Sequence, residues 1–106
     1  MANTFKRYTK NDVGTTLQTV MTVASPVTAS ILIGGVASNT GTASVTMEVV
    51  ANDGTNDINL LGKDTVIPAG SALSFIDGKV VMEQGDILKV KSSAPIDLQL
   101  SVMEIS

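Results

Sequence analysis

Apolar residues recur at every second position through many short stretches of this chain, and no stretch sustains the period of an amphipathic helix. The clearest case is TASVTMEVVA, residues 42–51. Here Ala43, Val45, Met47, Val49 and Ala51 alternate with Ser44, Thr46 and Glu48. The C-terminal IDLQLSVMEI repeats the pattern, with Ile96, Leu98, Leu100 and Val102 on one face and Asp97, Gln99 and Ser101 on the other. Strands with one apolar and one wet face belong to antiparallel sheets. Further β-branched runs are TTLQTVMTV, TASILIGGV, DINLL, DTVI, ALSFI, KVVM and DILKVK, each bounded by Gly, Pro, Asn or Asp. The reading is all-β: a single antiparallel β-sandwich, immunoglobulin-like or jelly-roll-like, of about eight or nine short strands.

The stretches between the runs carry turn chemistry. Pro26 after Ser25 breaks the chain, and SNTG (Ser38 to Gly41), NDGTND (Asn52 to Asp57) and IPAGS (Ile67 to Ser71) read as turns. Asp77-Gly78, between ALSFI and KVVM, is the preferred pair for a two-residue hairpin. Glu83, Gly85 and Asp86 mark another reversal between VVM and ILKV. Gly34 and Gly35 interrupt a strand, which predicts a bulge or a close approach of backbone. Residues 1–12 are polar, basic and lightly aromatic; they read equally as a first strand or as an interaction arm, ahead of a sandwich over 13–106.

Length and composition narrow the chemistry. With 106 residues the chain makes one domain, which at this size buries roughly two-thirds of the surface its unfolded form exposes. Cysteine, histidine and tryptophan are absent, which removes thiolate chemistry, the commonest general base and the best stacking platform. The net charge is −3, the pI about 4.6, and only 16% of residues are charged. Lys6, Arg7 and Lys10 cluster near the start, but Phe5, Tyr8 and Phe75 are the whole aromatic complement, so this is not the basic, aromatic surface that nucleic acid requires. No apolar run approaches the roughly 20 residues of a membrane helix, and the basic N-terminus has no hydrophobic block behind it. A soluble protein without a secretory signal is expected.

Each candidate site has a plainer reading. Asp64, Asp77, Glu83 and Asp86 supply carboxylates for acid–base work, yet such work needs two acids held in contrasting environments, and turn acids ordinarily bond their own backbone. Ser71 or Ser74 with Lys79 has the residue types of a Ser–Lys dyad but no nucleophile-elbow pattern. Asn52, Asp53, Asn56 and Asp57 offer oxygen ligands around a glycine, without the alternating spacing and closing glutamate of an EF-hand. The expectation is therefore no catalytic residue, no cofactor and no metal. Phe5, Arg7 and Tyr8 are the residue types of interface hot spots and are the expected partner contacts. The Ser/Thr-rich, lysine-poor strand faces also suit repeated subunit contacts.

Three segments carry a resemblance: MANTFKRYTKNDVGTT, VIPAGSALSFIDGKVVMEQGDILKVKSS and LQLSVMEIS. In order they give a Met-Ala-Asn-Thr-Phe-Lys-Arg opening, a Val-Gly-Thr step at Val13 to Thr15, and a Pro-x-Gly-x-x-Leu turn at Pro68 to Leu73. A Glu-x-Gly-Asp strand start runs from Glu83 to Val90, and a Ser-Val-Met-Glu ending covers Ser101 to Glu104. The set resembles small structural proteins of tailed-phage virions, of the type found in phages of marine bacteria and cyanobacteria. The region from Ser25 to Leu61 contributes only the generic strand pattern. The resemblance implies a non-enzymatic virion component: a head-decoration (cement) protein bound to the major capsid protein, or a neck, tail or fibre-attachment component. A homo-oligomer is expected on separate grounds, because a sheet of this many strands leaves edges for a neighbour to pair with. An expectation of another class is a β-module that binds glycans on a host surface, with calcium at Asn52 to Asp57.

Overall fold

The structure is a computed structural model, described for residues 3–61, 65–76 and 79–106. Its strands are β1 (Asn3–Lys10), β2 (Gln18–Thr22), β3 (Ala29–Ser38), β4 (Val45–Asn52), β5 (Asp57–Asn59), β6 (Thr65–Ile67), β7 (Ala72–Ser74), β8 (Val80–Glu83), β9 (Ile87–Ser92) and β10 (Asp97–Ile105). Among the described residues there is no helix, hence none able to cross a membrane. The expected antiparallel β-sandwich is what the chain forms.

Two five-stranded sheets face each other. Sheet A runs β1-β10-β3, with β7 and β8 end to end along the far edge of β3: Ala29 to Leu32 pair with β8, and Val36 to Ser38 with β7. Sheet B runs β2-β9-β4, with β5 and β6 end to end along β4 in the same way. Each broken pair fills one ladder position, so the ten segments occupy eight positions. First pairs with last, second with second-to-last, and so inward to the β4–β5 hairpin. This is the order of a jelly roll, which resolves the two sandwich types the strand count had left open.

One expectation is corrected here. The ALSFI and KVVM segments do not form a hairpin with each other, because β7 and β8 both pair with β3; Asp77-Gly78 itself lies outside the described residues. Between the two strands the chain turns inward, and the consecutive Phe75 and Ile76 both join the core. Two adjacent side chains cannot both reach the core from a flat strand, whose side chains alternate between faces, so β7 stops at Ser74. Their presence explains Gly35. A Cβ there would come within 2.6 Å of the Phe75 ring, and the Phe75 N–H donates to Gly35 O at 2.9 Å. Next to it the register shifts between Ser101 and Val102, leaving Ile33 as the extra residue of a bulge. The glycine pair thus marks both a close approach and a bulge.

The core is the meeting of the two inner faces. Leu32, Ala37, Met82, Leu98, Leu100 and Val102 come from sheet A, and Met21, Val45, Met47, Val49, Ile67, Leu88 and Val90 from sheet B. Val13, Val23, Phe75, Ile76 and Ile96 close the gaps from the connections. The alternation in residues 96–102 and 45–49 follows the sequence pattern position by position. Buried polar groups tie the ends of the sandwich. Asn39 donates from Nδ2 to Ala43 O (2.8 Å) and Ile67 O (3.0 Å) and accepts from the Gly41 N–H at Oδ1 (3.0 Å). The Ser92 hydroxyl has one proton to give and lies 2.6 Å from Ala94 O and 3.0 Å from Val13 O.

Candidate interaction surface

Two of the loop carboxylates, Asp86 and Asp53, are occupied by the fold. Asp86 Oδ2 accepts the Glu83 N–H at 2.9 Å, and the Asp86 N–H donates to Glu83 O at 3.0 Å, closing a turn whose Gly85 has φ +99°. That turn carries the chain from β8 in sheet A to β9 in sheet B. Asp64 and Asp77 lie outside the described residues. Asp53 Oδ1 accepts the N–H groups of Asn56 (2.7 Å) and Thr55 (3.0 Å); these bonds, Asn56 first, hold its carboxyl below the usual carboxylate range. Asn52 bonds Asp57 and the Gly54 N–H across the same loop. The oxygens of NDGTND therefore cap their own hairpin, and among the described residues no group of three or more acidic, His or Cys side chains could hold a metal ion. Ser71 precedes β7 and Ser74 is its last residue, whereas Lys79 leads into β8 beyond the buried Phe75 and Ile76. A shallow groove of about 430 Å³ lies at one end of sheet A, bordered by Lys10, Asn11, Ser38 and Asp97; no aromatic side chain lines it.

The N-terminal segment is a strand. β1 pairs with β10 along its whole length, from Asn3 opposite Ile105 to Lys10 opposite Leu98. Directly opposed residues share a face, so this register separates the three expected contact residues. Tyr8 lies opposite buried Leu100, on the inner face. Its hydroxyl donates to Glu104, and the Lys6 ammonium stands 5.4 Å from its ring centre. Burial first, then the Glu104 hydrogen bond and charge, push the Tyr8 phenol up to about 12. Phe5 and Arg7 point the other way, onto the outer face of sheet A, and Phe5 is 75% exposed.

Phe5 does not stand alone there. It lies opposite Met103, Met103 opposite Ile31, and Ile31 opposite Val81. One apolar row thus crosses β1, β10, β3 and β8 in register on the outer face, ending in Val81 at 65% exposure. The bulge adds exposed Ile33 beside it, and Val36 follows further along β3. Reading the sequence did not find this row. Phe5, Ile31, Val81 and Met103 stand far apart in the chain, and only the ladder brings them together. The signal that was available is that Ile31, Val81 and Met103 occupy the positions of their runs opposite to the core-facing ones.

No family model matches the chain, and no curated protein matches it. Among solved structures it is similar in fold to a chain of Bacillus endospore appendages, described as forming a novel family of disulfide-linked pili. The TM-score is 0.58 at 13% sequence identity, covering 96% of this chain and 87% of that one.

Proposed function

We propose that this chain is a non-enzymatic structural subunit of a tailed-phage virion, a decoration protein seated on the major capsid protein of the head. The observation that carries the reading is the apolar row on the outer face of sheet A. A four-strand sheet face in water favours Thr, Ser and charged residues, and a contiguous exposed apolar patch rimmed by polar residues marks an interaction site. Such a subunit works by burying surface in a repeated arrangement, so that parting neighbours costs more free energy under the pressure of packaged DNA. The ordered resemblance of the two ends and the second half to small virion proteins supports the particle assignment. The pilus chain of like fold is an assembling protein by its description; the present chain has no cysteine, so its assembly would rest on non-covalent surfaces. The second reading within this class is a neck, tail or fibre-attachment component, favoured by the same surface used in a smaller ring.

The test is the number of copies per particle, by quantitative gel densitometry of purified virions against the major capsid protein. A ratio near one per capsid subunit, or a simple fraction of it, is the expected result. A few to a few dozen copies would move the chain to the neck or tail. Absence from purified particles would overturn the virion reading and favour the glycan-binding module.

A further inference from the structure

We infer that the outer face of sheet A docks on the same face of a second copy of this chain, about a two-fold axis lying in the plane of contact. This rests on the assembly reading and assigns the row to contact between copies, which leaves the capsid contact to the other surfaces of the subunit. A two-fold contact joins one patch to itself, so the patch must be self-complementary. The row Phe5, Met103, Ile31, Val81 meets that condition, being apolar from one sheet edge to the other with no charge inside it.

Of the charges beside the row, which include exposed Lys79 just ahead of β8, Arg7 and Glu83 supply the orientation. Arg7 lies on β1 one row to one side, opposite Ser101; Glu83 lies on β8 one row to the other side, opposite Ala29. Both are exposed. They occupy opposite corners of the patch. Three strand spacings across and four residues along place them roughly 20 Å apart, too far to pair within one copy. An in-plane two-fold along the other diagonal sets Arg7 of each copy over Glu83 of its mate, forming two equivalent ion pairs around an apolar centre. The strands of the two faces then cross near a right angle, the orthogonal mode of sheet packing. The face, about four strands wide and four rows long, covers on the order of 500 Å² in projection. That is below the roughly 800 Å² per partner of a standard interface, so the isolated pair should associate in the micromolar range and gain from repetition in an assembly.

Sedimentation velocity across the micromolar range tests this on the full chain, with Arg7→Glu, Glu83→Arg and an equimolar mixture of the two. The natural chain is expected to dimerise reversibly. Each single reversal places like charges together twice per dimer and should weaken association about tenfold or more. The mixture should recover most of the loss. One variant is then acidic at both corners and its mate basic at both, so each pair across the contact is attractive again. Matching thermal melts of the three chains at low concentration confirm that the changes act on association and not on folding. A natural chain that stays monomeric up to about 500 µM, well above the range expected for this area, would overturn the inference. A trimer, or a mixture no tighter than its parents, would do the same. Failure here differs from failure of the virion assignment: a monomer found in particles at high copy sinks only the dimer, and a rescued dimer missing from particles sinks only the virion reading.

Discussion

The outer faces of the two sheets are built alike and finished differently. Sheet B presents Thr19, Thr22, Thr46, Glu48, Lys89, Lys91, Asn52 and Asn59, with Lys91 Nζ 3.3 Å from Glu48 Oε1 and Asn59 donating to the same carboxylate. Its outward apolar residues are separate: Val66, 53% exposed, stands opposite Thr46, and half-buried Ile87 lies between Thr22 and Asn52. Its central apolar residue, Val50, lies between Lys89 and Asn59 in register and is only 1% exposed. Sheet A presents the row from Phe5 to Val81, exposed at both ends. On sheet B the apolar centre is closed off from water within the chain, between register neighbours that include Lys89, whose stem can cover apolar surface. On sheet A, among the described residues, the two ends of the row stay open, Phe5 at 75% and Val81 at 65% exposure, with Ile31 and Met103 half-buried between them. The sheet B face is mostly polar, and the sheet A face carries a continuous apolar row, the surface proposed for association.

Stability measurements by denaturant unfolding of the monomer can break that comparison. The largest difference expected is between Val50→Asp and Val81→Asp. The first puts a carboxylate where the fold already excludes water and should cost about 2–4 kcal/mol. The second should stay within about 0.5 kcal/mol. Equal losses would mean that Val81 is packed by the chain itself, and the contrast would fail.

Asn39→Ala should cost about 1–3 kcal/mol, since it strands buried Ile67 O and removes the turn bonds to Ala43 O and the Gly41 N–H. That loss belongs to the fold and not to either outer face, so it calibrates what an internal tie contributes. Gly35→Ala should cost about 1–3 kcal/mol by forcing the Phe75 ring away. If it did not, the bulge that carries Ile33 onto the outer face would not depend on this approach.

Tyr8 sharpens the comparison at the strand both the row and the core share. Its folded pKa lies above the ordinary tyrosine value of 10.0. The stability it contributes is therefore complete below pH 10 and is lost as pH rises toward about 12. Tyr8 is the only tyrosine, so its ionisation can be followed directly by ultraviolet absorbance. Tyr8→Phe should remove this alkaline dependence and cost about 1 kcal/mol at neutral pH. A small effect should come from Lys91→Ala on sheet B, within about 1 kcal/mol, because the Lys91 end of the ion pair is open to water and Glu48 keeps its bond from Asn59.

Several elements were legible in the sequence for local reasons. The alternation of residues 45–49 and 96–102 predicted which side chains would be buried, since a strand's side chains change face at every residue. NDGTND was readable as a hairpin loop because its carboxylate and amide oxygens are the right length to bond backbone two and three residues on. Gly34 and Gly35 were readable as a bulge or close approach, and they are both. The failed hairpin at ALSFI and KVVM shows the limit. A turn pair predicts a reversal, but not that Phe75 and Ile76 would leave the ladder to fill the core.

What the sequence alone determined, then, is the class: an all-β chain with one wet face per strand, corners of Gly, Asn and Asp, and no equipment for histidine, cysteine or tryptophan chemistry. Which strands pair was decided only by the tertiary structure. Joining β1 to β10 and β3 to two separate segments depends on how all the apolar faces close over one core, and no window of the chain contains that information. The same holds for the candidate site. Phe5, Ile31, Val81 and Met103 are four ordinary residues in four separate runs, and they become a surface because backbone hydrogen bonds hold those runs side by side in one register.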